Sequence, residues 1–294
     1  MEKDIIICKT CGLCYGSKRA IDKTKELLNS HDNVVLYKEI LHNKNVMKNL
    51  LEQGATLKNT LAEINSNDYV IVRAHGEPEA TFNHFEKNNI KYLDCTCPNV
   101  KSINLLVKEK DKNGYKIIII GKHGFDGKPI HPEVLATAGW CTSPILIEDE
   151  CEIEKIDMSY EKYYLVMQTT FSASKALSFV EKIKEKLLSN NKIFEYRNTL
   201  CSAQRNINKD SLALANIVDV MIVIGGKSSS NTKELYNNIT AAKETYLIDD
   251  PQKVLDLLKE NKIKKEQTIG LTAGASTMKE DIIKVKQLIE NQLN

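Results

Sequence analysis

The run Lys116–Ile117–Ile118–Ile119–Ile120 decides the fold of this 294-residue chain. It is short, continuous and rich in β-branched residues, which is typical of a strand buried on both faces of a parallel sheet. Similar runs occur at Val34–Val35–Leu36–Tyr37 and at Val220–Met221–Ile222–Val223–Ile224, and helix-like stretches lie between them. Apolar strands that alternate with helices predict βαβ units, so the expected fold class is α/β.

Each of these runs is preceded by a cysteine that follows a predicted strand and begins a predicted helix. The first polar residues beyond the next strand lie 28, 34 and 28 residues after Cys14, Cys97 and Cys201, respectively. In each repeat a second apolar strand then ends in polar side chains as well. This triplication predicts one central site that all three repeats line.

The repeats predict three βαβ-type modules, at residues 1–96, 97–200 and 201–294. Ligands bind at the carboxyl ends of parallel strands, so modules that point those ends inward would surround one cavity with thiolates, histidines, a carboxylate and hydroxyls. No linker rich in Gly, Ser or Pro separates the modules, which favours close packing around the site.

The composition favours a cytoplasmic enzyme. The net charge is +2, no block of Lys and Arg occurs, and the longest apolar runs are of strand length. These features argue against nucleic-acid binding and against a membrane span. The N-terminal residues lack the pattern of a secretory signal peptide, so the eight cysteines are expected to be metal ligands or redox groups rather than disulfide partners.

Three recurring cysteines rather than four indicate catalysis at a metal centre. An iron–sulfur cluster held by four thiolates is normally closed to substrate, whereas one held by three leaves an iron open. Zinc with three thiolates and an open position fits the same count, and the residues alone separate the two only weakly. A single cysteine is as often a small buried apolar residue, but recurrence at Cys14, Cys97 and Cys201 favours ligands.

Polar residues at the strand ends predict an anion site. Ser229–Ser230–Asn231 begins a predicted helix, so hydroxyls, an amide and unpaired backbone N–H groups would converge on an anion. The alternative is an ordinary helix N-cap, for which one such side chain suffices. His42 and His75 follow strand ends and would clamp a diphosphate or donate protons, unless they are core or capping residues.

Glu133 is the only carboxylate in the matched loops, which makes it the natural proton donor or relay. The alternative is an acidic residue in the first turn of a helix, a common arrangement after a proline such as Pro132. Thr169 and Ser276 gain weight only because they occupy matched positions after the second strand of their repeats.

Eight motifs, taken in order, resemble those of the LytB family, the 4-hydroxy-3-methylbut-2-enyl diphosphate reductases of non-mevalonate isoprenoid synthesis. The resemblance runs nearly from end to end. The motifs are Gly12–Leu13–Cys14–Tyr15–Gly16 with Lys18–Arg19–Ala20, Leu41–His42–Asn43, Arg73–Ala74–His75–Gly76, Asp94–Cys95–Thr96–Cys97–Pro98, His131–Pro132–Glu133–Val134, Gln168–Thr169–Thr170, Ser229–Ser230–Asn231 and Thr272–Ala273–Gly274–Ala275–Ser276.

The resemblance implies three α/β domains in pseudo-threefold arrangement around a [4Fe–4S] cluster held by Cys14, Cys97 and Cys201. The fourth iron, which is open, would bind the allylic hydroxyl of the substrate, and two electrons and protons would remove that oxygen as water. The products would be isopentenyl and dimethylallyl diphosphate. A ferredoxin or flavodoxin would supply the electrons, and the reductase itself would bind no nicotinamide.

The same resemblance assigns roles to the polar residues. Glu133 together with Thr169 would form the proton relay. The diphosphate would be held by His42, His75, His131, Ser229, Ser230, Asn231 and Ser276.

The chain departs from the family pattern at several positions. The loop at residues 122–130 is longer and adds His123, so either His123 or His131 would reach the cavity, and its glycines would let the loop act as a lid. The other departures are Ser102 and Asn104 in place of lysine and histidine, Gln204, Ile207 and Asn208 in place of threonine, arginine and glutamine, and Met278 in place of proline.

The remaining cysteines have less certain roles. Cys8, Cys11 and Cys14 form a Cys-x-x-Cys-x-x-Cys string like part of a ferredoxin ligand run. Cys14 is favoured as the ligand, with Cys11 as a redox partner or alternative ligand, and Cys95 raises the same question. Two others have no matched position and are expected to be structural: Cys141 and Cys151.

Three functions fit these observations. The first is the isoprenoid reductase, and the second is a related cluster-dependent reductase with another substrate, which the altered loop at 122–130 favours. The third is a non-catalytic metal or redox sensor, which the additional cysteines favour. Retention of Glu133, Thr169 and Ser229–Ser230–Asn231 argues against the third, because a sensor needs none of them.

Overall fold

Strands and helices alternate along the chain in a computed structural model that describes residues 4–41, 43–125, 127–227 and 229–293, with the backbone alone at Ser230 and Leu293. The strands are β1 Ile5–Ile7, β2 Val34–Tyr37, β3 Thr56–Lys58, β4 Tyr69–Val72, β5 Lys91–Asp94, β6 Lys116–Ile120, β7 Ile145–Ile147, β8 Lys162–Met167, β9 Ile193–Tyr196, β10 Val220–Ile224, β11 Thr245–Ile248 and β12 Ile269–Ala273. The helices are α1 Tyr15–Leu28, α2 Lys44–Glu52, α3 Glu79–Lys87, α4 Pro98–Lys112, α5 Pro132–Ala138, α6 Ala173–Ser189, α7 Ser202–Ala215, α8 Ser230–Thr240, α9 Val254–Lys259 and α10 Lys279–Leu293.

The described strands form three parallel sheets of four strands each. Their orders are β3-β2-β4-β5, β7-β6-β8-β9 and β1-β12-β10-β11. This confirms the α/β class and three modules of βαβ type. The strands predicted from the strongest apolar runs, β2, β4, β6, β8, β10 and β12, are the central pair of each sheet.

The chain divides into two compact units. The described residues within Met1–Lys18, Leu41–Asn49 and Ser202–Asn294 form the first unit, which contains the sheet of β1, β12, β10 and β11. Those within Arg19–Ile40 and Leu50–Cys201 form the second unit, which contains the other two sheets.

The central strands supply the core of each sheet. All four isoleucines of β6 are at most 1% exposed, and each such side chain stabilises the fold by about 1.5–3 kcal/mol through burial. In the first unit, Ile282, Val285 and Ile289 of α10 are buried against β10 and β12 residues. One face of α10 therefore packs on the third sheet.

The first strand belongs to the last sheet. β1 pairs in parallel with β12, with Ile5 opposite Ile269 and Ile7 opposite Leu271. Cys14 therefore follows a strand of the third sheet, although the sequence places it at the head of the first repeat. The module limits at 96/97 and 200/201 stay a prediction.

None of the helices among the described residues is both long enough and apolar enough to span a membrane.

Candidate active site

The three recurring cysteines occupy the same place in their sheets. Each cysteine follows one strand of its sheet. Its backbone N–H donates to a carbonyl in the loop that follows the neighbouring inner strand. The N···O distances are 3.1 Å from Cys14 to Ala275, 2.9 Å from Cys97 to Ala74 and 2.8 Å from Cys201 to Thr169. The repeat predicted from sequence is thus a repeat of backbone hydrogen bonding as well as of spacing.

Each of these cysteines also lies at the start of a helix, where the backbone N–H groups of the first turn have no partner within the helix. Cys97 is the N-cap of α4, and Pro98 is the first helical residue. Cys14 Sγ accepts a hydrogen bond from the backbone N–H of Ser17 at 3.4 Å. The chemistry of these positions fits thiolate ligands of an iron–sulfur cluster.

A side chain of the α4 first turn reaches the third cysteine. Asn99 Nδ2 donates to Cys201 Sγ over 3.8 Å, which lies within the range for a weak hydrogen bond to sulfur. Cys97 and Cys201 belong to the second unit and Cys14 to the first. Among the described residues, no three His, Cys, Asp or Glu side chains surround the position of a single metal ion.

Four of the additional cysteines have raised pKa values. Burial raises the pKa of Cys11 to about 11, with a contribution from Cys8, whose carbonyl accepts from Cys11 Sγ at 3.2 Å. Burial likewise raises the pKa of Cys95 to about 11 and that of Cys141 to about 12. A hydrogen bond with Asp149 raises the pKa of exposed Cys151. Raised pKa values disfavour the thiolate that a metal ligand or a redox thiol requires.

Glu133 is a buried carboxyl group at the start of α5. It is 3% exposed, and burial raises its pKa to about 7, although hydrogen bonds from Thr169 act in the opposite direction. Thr169 donates twice to it, from the backbone N–H at 2.5 Å and from Oγ1 at 2.7 Å. A carboxyl group with this pKa holds a proton near neutral pH and can release it.

Two imidazole rings lie in the same part of the second unit. His131 is the N-cap of α5, and its Nδ1 accepts from the backbone N–H of Glu133 at 3.2 Å, so this nitrogen carries no hydrogen in that arrangement. The rings of His75 and His131 meet edge to face with centroids 5.4 Å apart. The structure therefore brings together four of the predicted site residues: His75, His131, Glu133 and Thr169.

His123 lies against a different group. Its Nε2 contacts the two carboxylate oxygens of Glu152 at 2.8 and 3.0 Å. The loop backbone beside it is held by Glu148 Oε2, which accepts from the N–H groups of His123, Gly124 and Phe125 at 2.8, 2.9 and 3.1 Å. His131 rather than His123 accompanies Glu133, and a lid function for this loop stays a prediction. Asp126 lies outside the described residues.

The residues that were predicted to form an anion cradle lie in the first unit. Ser229 is the N-cap of α8, and its hydroxyl accepts from the backbone N–H of Thr232 at 3.4 Å. Asn43 donates from Nδ2 to the carbonyl of Ser276 at 2.9 Å, which brings two predicted motifs together. His42 and the side chain of Ser230 lie outside the described residues.

Glycines make room for a buried hydroxyl beside this cradle. Thr232 is fully buried, and a Cβ atom at Gly225 would lie only 2.8 Å from its Oγ1. Gly225 also has φ +149°, a conformation that side chains rarely adopt. A larger residue at Gly225 would therefore displace the first turn of α8.

Three buried amide oxygens were not predicted from the sequence. Asn231 was predicted to bind the diphosphate, whereas Gln204 and Asn208 were not predicted to be site residues. Gln204 Oε1, Asn208 Oδ1 and Asn231 Oδ1 are buried and have no hydrogen-bond partner within the described parts of the chain. Gln204 Nε2 donates to the backbone carbonyl of Asn231 at 3.4 Å. The sequence signal that could have pointed to Gln204 and Asn208 was their departure from the family pattern.

An ion cluster around Glu77, two residues after His75, was also not predicted from the sequence. Glu77 is 1% exposed and accepts from Arg73 Nε at 3.0 Å and from Lys38 Nζ at 2.8 Å. Trp140 Nε1 donates to the Glu77 carbonyl at 3.0 Å. These contacts fix the loop that carries His75. A lone glutamate after His75–Gly76 gives no sequence signal of this role.

Comparison with known proteins extends the motif evidence to the whole chain. The profile of the family described as LytB protein matches residues 5–290. Proteins named 4-hydroxy-3-methylbut-2-enyl diphosphate reductase are similar in Clostridioides difficile (strain 630), with 35% identity over 98% of this chain and 99% of that protein, and in Caldanaerobacter subterraneus subsp. tengcongensis, with 36% identity over 97% of each.

Solved structures of reductases are also similar. One, described as (E)-4-hydroxy-3-methyl-but-2-enyl diphosphate reductase, the terminal enzyme of the non-mevalonate pathway, gives a TM-score of 0.75 with 29% identity over 98% of this chain and 99% of that one. The E-1-hydroxy-2-methyl-but-2-enyl-4-diphosphate reductase from Plasmodium falciparum gives 0.83 with 25% identity over 100% and 89%, respectively. Because the profile and these relatives span nearly its whole length, the chain belongs to the LytB family.

Proposed function

We propose that this protein reduces 4-hydroxy-3-methylbut-2-enyl diphosphate to isopentenyl and dimethylallyl diphosphate with an iron–sulfur cluster. Membership of the LytB family supports the reaction, since the named relatives are reductases of this diphosphate. The observation that carries it in this chain is the Glu133–Thr169 pair, a buried carboxyl group hydrogen-bonded to a hydroxyl beside two imidazole rings.

The pair suits the removal of a hydroxyl group. Hydroxide leaves poorly and water leaves more easily, so the reaction needs a proton at the departing oxygen. Burial keeps the proton on Glu133 up to about pH 7. Thr169 Oγ1 lies 2.7 Å from the carboxyl oxygen, so a proton can pass through this hydroxyl between Glu133 and the substrate.

We assign the cofactor, a [4Fe–4S] cluster with one open iron, to Cys14, Cys97 and Cys201. Their shared backbone junctions, their places at helix starts and the hydrogen bonds to Cys14 and Cys201 support thiolate ligands. When bound, the cluster would supply electrons and a Lewis-acidic iron for the hydroxyl group.

The diphosphate is assigned to polar groups that follow strand ends or begin helices. The capping hydroxyl of Ser229 and the contact between Asn43 and Ser276 support an anion site at α8, and the paired rings of His75 and His131 support two further donors. The proposed set is His42, His75, His131, Ser229, Ser230, Asn231 and Ser276.

We further propose a reduced ferredoxin or flavodoxin as the physiological electron donor. The resemblance to the family is the support for this partner. Turnover that depends on reduced ferredoxin or flavodoxin, and that NADPH alone does not drive, is the expected result.

The test is anaerobic purification with iron and sulfide analysis, followed by reduction of 4-hydroxy-3-methylbut-2-enyl diphosphate with an artificial electron donor. We expect about four irons per chain and formation of both products, and loss of turnover in Glu133→Ala. Absence of iron after anaerobic reconstitution would refute the proposal.

The second candidate is a reductase of the same fold that acts on another substrate. Its support is the replacement of family residues by Asn104 and Gln204. Asn104 is 2% exposed and lies 2.9 Å from Thr137 Oγ1 on α5. A four-iron cluster without turnover of the named diphosphate would favour this candidate.

A further inference from the structure

Gln204 is a buried polar residue that the proposed function does not use. It lies in the first turn of α7 and is 7% exposed. Its Nε2 donates to the backbone carbonyl of Asn231 at 3.4 Å, in the first turn of α8. This contact assigns the amide orientation, because the opposite orientation would turn one oxygen toward another.

The oxygen of the same amide group lacks a hydrogen-bond donor among the described residues. Gln204 Oε1 is buried, and no donor among the described residues reaches it. A buried acceptor without a donor is rare in folded proteins and calls for an explanation, such as a ligand that supplies the missing hydrogen. Asn208, one helical turn further on the same face of α7, also buries an amide oxygen without a partner.

The substrate of the proposed function carries one group that matches this acceptor. Its diphosphate offers acceptor oxygens, which an amide oxygen repels, whereas its hydroxyl group carries a hydrogen that an amide oxygen accepts. The hydroxyl donors at the start of α8 suit the diphosphate, and Gln204 Oε1 suits the hydroxyl.

We infer that Gln204 Oε1 accepts the hydrogen of the substrate's hydroxyl group and thereby selects the hydroxylated diphosphate over its dehydroxylated product. The inference rests on the proposed function. It makes Gln204 a specificity-determining residue, because the product has lost the group that this oxygen recognises and is released more easily.

The experiment compares two ligands on the anaerobic, cluster-loaded enzyme without reductant, by calorimetry. The ligands are 4-hydroxy-3-methylbut-2-enyl diphosphate and dimethylallyl diphosphate, and the readout is the ratio of their dissociation constants. Gln204→Met keeps the length of the side chain without its hydrogen-bonding groups, and Gln204→Glu keeps an acceptor oxygen. Asn206→Leu, at an exposed position of the same helix, is the matched control.

We expect Gln204→Met to reduce the preference for the hydroxylated ligand about tenfold, the value of one buried hydrogen bond, with dimethylallyl diphosphate binding unchanged within about twofold. Gln204→Glu keeps the ratio even where its charge weakens both ligands, and Asn206→Leu changes neither constant.

Two results would overturn the inference: an unchanged ratio in Gln204→Met, or an equal loss of both ligands, which would mean that Gln204 only supports α8. Failure of the wild-type enzyme to bind either ligand would overturn the proposed function and the inference with it. The ratio therefore separates the two failures.

Discussion

The buried carboxyl group of Glu133 in the second unit has hydrogen-bond partners, whereas three buried amide oxygens of the first unit have none among the described residues. Glu133 accepts two hydrogen bonds from Thr169, and the capping His131 accepts one from the Glu133 backbone. In the first unit, Gln204, Asn208 and Asn231 each bury an amide oxygen that no described donor reaches.

The difference separates two kinds of site residue. A titratable group that must hold a proton in a fixed place benefits from being oriented before the ligand arrives, and its partners provide that orientation. Amide oxygens that wait for a ligand gain their hydrogen bond only on binding, and the unbound fold is less stable for it. The paired carboxyl group of Glu133 is thus suited to proton chemistry, and the unpaired amide oxygens of the first unit are suited to ligand recognition.

The largest effect is expected on turnover when Glu133 is replaced. Glu133→Gln keeps the shape of the side chain and removes its ability to deliver a proton, so turnover should fall by about 10²–10⁴-fold. Binding of dimethylallyl diphosphate should stay within about twofold, as should the turnover of Glu154→Gln at an exposed control position. A similar loss of binding would show that Glu133 acts in recognition and would break the comparison.

A second prediction concerns stability and pH. The pKa of Glu133 is about 7 in the folded protein and close to its ordinary value of 4.5 when unfolded, so the folded state binds more protons between these values. The stability of the wild type relative to Glu133→Gln should fall by about 3 kcal/mol as the pH rises from 4.5 to 7, and stay level above.

Denaturant unfolding of both proteins under anaerobic conditions at pH 5 and pH 8 measures most of this change. The difference between the two proteins cancels effects that they share. A difference that grows in the opposite direction would mean that the hydrogen bonds from Thr169 favour the charged carboxylate in the folded state more than burial disfavours it.

The smallest effect is expected on stability when Asn208 is replaced. Asn208→Leu removes a buried oxygen without a partner, so the free energy of unfolding should rise by about 1 kcal/mol relative to Asn206→Leu, which tests the same change at an exposed position of the helix. Thermal or denaturant unfolding measures it. A decrease would indicate that Asn208 has a partner, and the contrast between the two units would disappear.

Local sequence predicted the elements with the strongest signal. The central strands are continuous apolar runs, and β6, for example, is observed over the five residues that were predicted. The placement of Cys14, Cys97 and Cys201 at strand-to-helix junctions was also evident, since it depends only on neighbouring elements. The matched positions added Glu133 and Thr169, whose hydrogen bond joins the start of α5 to the segment after β8, 36 residues further along the chain.

Edge strands were harder to predict because they are short and partly exposed. β3 and β5 show none of the continuous burial that marks β2 between β3 and β4, so they give little apolar signal. Their strand conformation depends on hydrogen bonds to a neighbour, which the local sequence does not encode.

The sequence by itself determined the α/β class, the three central strand pairs and the recurring cysteines, because each follows from apolar runs and local spacing. Only the tertiary structure decided that β1 pairs with β12, that His131 rather than His123 joins Glu133, and that Gln204 buries an oxygen without a donor. The physical reason is that strand pairing, burial and hydrogen bonding between distant residues depend on the packed chain, and no local pattern of residues fixes them.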